Sequence, residues 1–119
     1  MWAMTKTGFI SVVKDRDSDK LLVRSRRKED LERTFPSHAA EIVEKPFPAD
    51  YRWRVAVPRE VVAAAVAEAV QAIDYDSHVK EELAGDDDQR YRAYLGCWSA
   101  LEQMQHNPHN PYTDAWSVL

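Results

Sequence analysis

The sequence predicts an α+β fold of two layers, a four-stranded, mainly antiparallel sheet with its helices on one face. Three observations lead there. From Asp50 to Val57 large apolar residues alternate with basic ones, the period of a half-buried strand. Directly after Pro58 the period changes. Val62, Ala65, Val66, Ala69, Val70 and Ile73 recur at the spacing of one helix face. Finally, the short apolar runs come in groups broken by helical stretches, without the strand–helix–strand alternation that builds a parallel sheet. The expected order is β-β-α-β-β-α-α-α.

Phe9-Ile10-Ser11-Val12-Val13 reads as the first strand, with Gly8 before it marking a turn or a close backbone approach. Lys14 to Lys20 is a polar hairpin loop. Its Asp15, Asp17 and Asp19 have the alternate spacing of a calcium loop, but Lys20 and Arg26 stand where that loop needs Gly and Glu. Leu21 to Arg26 is the second strand, paired antiparallel to the first. Lys28 to Phe35 is a short helix with Glu29 and Asp30 in its first turn, where the helix dipole favours anions, and Pro36 stops it. Ala40 to Glu44 is a weaker strand and Pro46 to Ala49 a loop. In the central strand Tyr51, Trp53, Val55 and Val57 share the apolar face, while Arg52 and Arg54 point the other way. Pro58 suits a helix start. Ser77 is a candidate cap for a short helix carrying Val79 and Leu83, which Gly85 closes. The last helix opens after Asp86-Asp87-Asp88 and runs to Gln105, with Tyr91, Tyr94, Leu95, Trp98 and Leu101 along one stripe. Residues 1–105 therefore form one domain, and 106–119 an extended tail.

The chain has 119 residues, 45% hydrophobic and 30% charged, the balance of a soluble globular protein. Its net charge of -4 argues against a surface that is a nucleic-acid binder throughout, though not against a local basic patch. Cys97 is the only cysteine, so an intrachain disulfide is excluded. The opening residues lack a signal-peptide pattern, and no apolar run approaches the ~20 residues of a membrane span. Location in the cytoplasm and no membrane partner are expected.

Met1-Trp2-Ala3-Met4-Thr5 with Gly8-Phe9, Asp50-Tyr51-Arg52-Trp53-Arg54 and Ala72-Ile73-Asp74-Tyr75 together resemble a family of small uncharacterised proteins of bacteria and their phages. The resemblance extends up to the last helix. Where that family continues with Pro and an aromatic residue, this chain reads Asp76-Ser77-His78. The resemblance implies no activity and transfers no site.

Arg24, Arg26, Arg52 and Arg54 are the partner-binding candidates. Strand parity sets each pair on one face of its strand, opposite the apolar face, and Arg27 and Lys28 extend the patch. Guanidinium groups there suit an acidic protein partner or a phosphate backbone, or else form a solvated face. RNA-reading sheets also carry aromatic residues on the binding face, whereas Tyr51 and Trp53 fall on the opposite parity. Tyr112 and Trp116 are candidates for tail docking, or for folding back onto the domain. His78, His106, His109 and Cys97 are zinc-ligand types without a closed four-ligand pattern, and Cys97 beside Trp98 reads as a buried small hydrophobe. No metal, cofactor or catalytic residue is expected. The function expected is that of a non-catalytic protein-interaction or regulatory accessory protein. The alternative is a nucleic-acid-binding accessory protein using the Arg-rich sheet face. The partner's identity and the oligomeric state are open.

Overall fold

In a computed structural model that describes residues 1–106, the chain forms an α+β fold around a five-stranded antiparallel sheet. Two compact units divide it, one from Met1 to Tyr75 and one beginning at Asp76. Residues 107–119 lie outside the described residues, and with them the predicted docking residues Tyr112 and Trp116.

The first unit holds the whole sheet. Strands β1 (Trp2–Thr5), β2 (Gly8–Lys14), β3 (Leu21–Ser25), β4 (Val43–Glu44) and β5 (Trp53–Val57) lie in the order β1-β2-β3-β5-β4. The fifth strand, absent from the sequence prediction, is β1. It pairs with β2 across the tight Lys6-Thr7 turn, Thr5 opposite Gly8. Two further segments are corrected. Pro36–Glu41 is a 3₁₀ helix, which shortens the expected Ala40–Glu44 strand to Val43–Glu44. The central strand starts at Trp53 rather than Asp50. Its ladder with β4 extends only to a bond from Lys45 N–H to the Arg52 carbonyl at 2.7 Å, after which the chain bends.

Cross-strand partners share a face, so the register sorts the side chains. Val12, Val23 and Val55 align on one face, with Ile10 and Val57 beside them. Helix α1 (Lys28–Thr34) adds Leu31, the following Phe35 closes the same cluster, and α2 (Arg59–Gln71) adds Val62. Trp53 is half-buried against this core, as its parity predicts. The α2 stripe is turned from the predicted one. Val61, Val62 and Ala65 meet the core, Val66 is only half-buried, and Val70 and Ile73 are 57% and 52% exposed. The core cluster takes its α2 residues from the first turns, while the C-terminal half lies beside β1 across a groove.

At the start of β2, Gly8 has φ +137°, a backbone state that L side chains rarely adopt. A Cβ there would meet Asp30 Cγ at 2.3 Å. The space is taken because the buried Asp30 carboxylate accepts the Phe9 N–H at 2.9 Å and Arg33 Nη2 at 3.1 Å. Ser25 Oγ donates to the carbonyl of the same Phe9 at 2.6 Å.

The second unit contains α3 (Val79–Ala84) and α4, which runs from Asp88 to His106. Ser77 is not the cap of α3; His78 occupies that place in the left-handed region, φ 56°. Asp87 caps α4, its Oδ1 accepting Arg90 N–H at 3.0 Å. Tyr94 and Arg90 are buried and joined by a 3.0 Å bond from Nη1 to the phenol oxygen. Trp98 and Leu101 are exposed, and so is Cys97, against the expectation of a buried thiol.

Replacing Gly8 with Ala should lower stability on the order of 3 kcal/mol or more, combining backbone strain with the collision at Asp30. Denaturant titration checks this. The same measurement should separate the valines of α2. Val62→Ala should cost about 1–3 kcal/mol and Val66→Ala less than about 1 kcal/mol, following their burial.

Candidate functional site

The sheet face opposite the core carries a continuous row of register partners. Trp2 faces Ser11, Ser11 faces Arg24, Arg24 faces Arg54, and Arg54 faces Val43, one residue from each strand. Both ends of the row are exposed apolar side chains, with Trp2 74% accessible. Phe9 flanks the row, its ring edge-on to Trp2 at 6.4 Å.

At the centre of the row two cations stand directly opposite one another, an arrangement that costs stability in a sheet unless something offsets it. Part of the offset is visible. Arg24 Nη2 donates to Ser11 Oγ at 2.9 Å. Arg54 Nη2 donates to the Tyr51 carbonyl at 3.2 Å. The Tyr51 ring lies 4.5 Å from the guanidinium carbon of Arg24 and 4.1 Å from that of Arg26, so it takes two cations over its π-system. Arg26 also donates to the Asp50 carbonyl and pairs with the Asp50 carboxylate at 3.5 Å. Of these three guanidinium groups, Arg26 is the one paired with a carboxylate. Among the described residues Arg24 and Arg54 have no carboxylate partner, and the Nε of each is buried without an acceptor.

Of the four predicted arginines, Arg24, Arg26 and Arg54 come together and Arg52 does not. Arg52 precedes β5, pairs with Glu44 at 3.4 Å and lies over the Trp53 ring, on the side of the helix-covered face. Lys28 also lies over Trp53, and Arg27 is 3.9 Å from Glu29, so neither extends the patch as expected. Tyr51 was expected in the core. It is 3% exposed, but its burial is against the arginines, because the chain has not yet entered the strand at Tyr51. Sequence reasoning missed Ser11, Trp2 and Phe9 as members of this face. Finding Trp2 required recognising β1; Ser11 had the right parity, but nothing marked it as an acceptor for Arg24.

Away from this face, the hairpin turn and the exposed half of α2 enclose a groove of about 420 Å³, lined by Met4, Thr7, Ala69 and Ile73 among others. Lys6 closes one side. Its Nζ is 2.9 Å from Asp74 Oδ1 and 5.6 Å from the Tyr75 ring. The Asp15 loop is a plain polar turn, in which Asp15 accepts Ser18 Oγ at 2.7 Å and Asp17 N–H at 3.4 Å. Among the described residues no group of His, Cys, Asp and Glu could hold a metal ion, and no helix is long and apolar enough to cross a membrane.

No known family, curated protein or solved structure matches the chain.

The Lys6 ammonium, by its hydrogen bond and then its charge, holds the Asp74 carboxyl below the usual carboxylate range. A lowered folded-state pKa means the pair's contribution is present above the unfolded pKa and lost as pH falls through the folded one. A carbon-detected NMR titration of Lys6→Met should show the Asp74 midpoint returning upward to the ordinary value. High salt should produce part of the same change in the wild type, because the pair is exposed.

Proposed function

We propose that this chain is a non-catalytic, cytoplasmic interaction protein that docks a protein partner on the Trp2–Ser11–Arg24–Arg54–Val43 row. The observation that carries this is the join of an exposed Trp2, edge-on to the half-buried Phe9, to an arginine cluster tethered by Ser11 and Tyr51. Trp, Tyr and Arg are the side chains that dominate binding energy at protein interfaces. A guanidinium tethered by one hydrogen bond, as Arg24 and Arg54 are, keeps its place on the face and can still turn towards a partner.

A second reading has one specific observation in its favour. Aromatic and basic side chains share this face, as they do on sheets that stack single-stranded bases. The net charge of -4 and the neutralisation of Arg26 and Arg52 by carboxylates weigh against it, since tracking a backbone needs several free cations.

Affinity capture from the native host, with wild type beside Trp2→Ala and Arg54→Gln variants of unchanged fold, tests the proposal. A defined protein should be retained by wild type, and its affinity for purified Trp2→Ala should fall about tenfold or more, as for a hot-spot aromatic. Binding to mixed single-stranded DNA and RNA should be weak at moderate salt. Tight nucleic-acid binding that declines steeply with salt, and is lost in Arg54→Gln, would instead establish the second reading.

A further inference from the structure

We propose that Arg24 and Arg54 form the seat for one phosphate monoester, borne by a phosphorylated side chain of the partner; this rests on the docking face proposed above. The starting point is the unoffset charge. Arg24 and Arg54 are register partners on adjacent strands, so their Cβ atoms are roughly 5 Å apart. Arg24 and Arg26 lie over the Tyr51 ring and Arg54 donates to the Tyr51 carbonyl, so three positive charges gather at this residue, and Asp50 supplies one negative charge, spent on Arg26. Two positive charges are left over. A phosphomonoester carries close to two negative charges near neutral pH, whereas a carboxylate or a phosphodiester carries one. The charge count therefore selects the monoester over an acidic side chain and over the backbone of a nucleic acid.

The hydrogen-bond count agrees. Each guanidinium uses Nη2 internally, Arg24 on Ser11 Oγ and Arg54 on the Tyr51 carbonyl. Each keeps an Nε–H that is buried without an acceptor. A buried donor left unmatched is costly, and two of them on register partners of adjacent strands call for a ligand rich in acceptors. Phosphate offers three strong acceptor oxygens, and the planar guanidinium fork fits them in pairs. Because the Nε atoms are closed off, binding includes a turn of both guanidinium groups towards the incoming oxygens. That movement provides the readout.

Arginine Nε–Hε signals of the full chain should be followed by NMR and assigned from Arg24→Lys and Arg54→Lys. Titration with a phosphoserine peptide should move both signals. Binding should be at least tenfold tighter than for acetate or dimethyl phosphate. It should weaken about tenfold between about pH 7.5 and pH 5, as the second phosphate ionisation near 6 is reversed. Arg54→Gln should lose at least tenfold, and Arg54→Lys should fall between, keeping the charge without the fork; thermal melts of both exclude unfolding. Equal binding of the monoanions overturns the assignment, as does the absence of any Nε shift with millimolar phosphopeptide. Tighter binding of a 5′-phosphorylated oligonucleotide than of the phosphopeptide overturns the protein source. If phosphoserine fails while the host partner is still captured by wild type and lost in Trp2→Ala, the docking face stands and only the phosphate seat falls.

Discussion

The peptide groups of Phe9 are where the two layers of the first unit are fastened together. An edge-to-edge ladder would give the Phe9 N–H and carbonyl to a neighbouring strand. Here they go to side chains instead, the Asp30 carboxylate and the Ser25 hydroxyl. A buried carboxylate is tolerated only when its oxygens are matched, and Asp30 is matched by the backbone of β2 and by Arg33. The carboxylate can come so close only because position 8 lacks a side chain. Sequence, backbone conformation and helix placement are therefore one constraint: Gly8 admits Asp30, and Asp30 holds α1 over the sheet.

That constraint also shapes the opposite face. β3 ends at Ser25, whose hydroxyl is held by Phe9, and Arg26 beyond it lies on Tyr51. The bend at Asp50 to Arg52, before β5, brings the Tyr51 ring to the arginines and its carbonyl to Arg54. Dispersion and cation–π attraction hold the cluster in place, roughly 0.5–2 kcal/mol for each contact, against the mutual repulsion of like charges. The like charges of Arg24 and Arg54 are thus only partly offset within the chain.

The fold class was legible because periodicity survives in a single sequence: β2, β3, β5 and α2 all stand where alternation or helical spacing sets them. What was lost is what periodicity does not encode. Strand β1 is too short to show an alternation of its own and exists through its pairing with β2. The rotation of α2 depends on what packs beneath it, so Val70 and Ile73 continue the stripe yet stand exposed beside a groove. At the site, parity placed Arg24 and Arg54 correctly, since both lie inside strands. It misplaced Tyr51 and Arg52, since both lie just outside one. Parity is reliable only as far as the ladder runs, and the ladder's end is a tertiary fact.

The alternation in β5 has a consequence for how such a chain can change over evolutionary time. A single-residue insertion or deletion between Trp53 and Val57 would exchange the two faces of the strand beyond it. Charged groups would enter the hydrocarbon layer and the valines would turn to water, so both layers would fail in one event. The adjoining segments, Pro46 to Ala49 and Asp15 to Lys20, carry no such penalty, because chain length there is decoupled from which way the strand faces. Length variation among descendants of this sequence should collect in those two segments, while the strand itself drifts only by substitution.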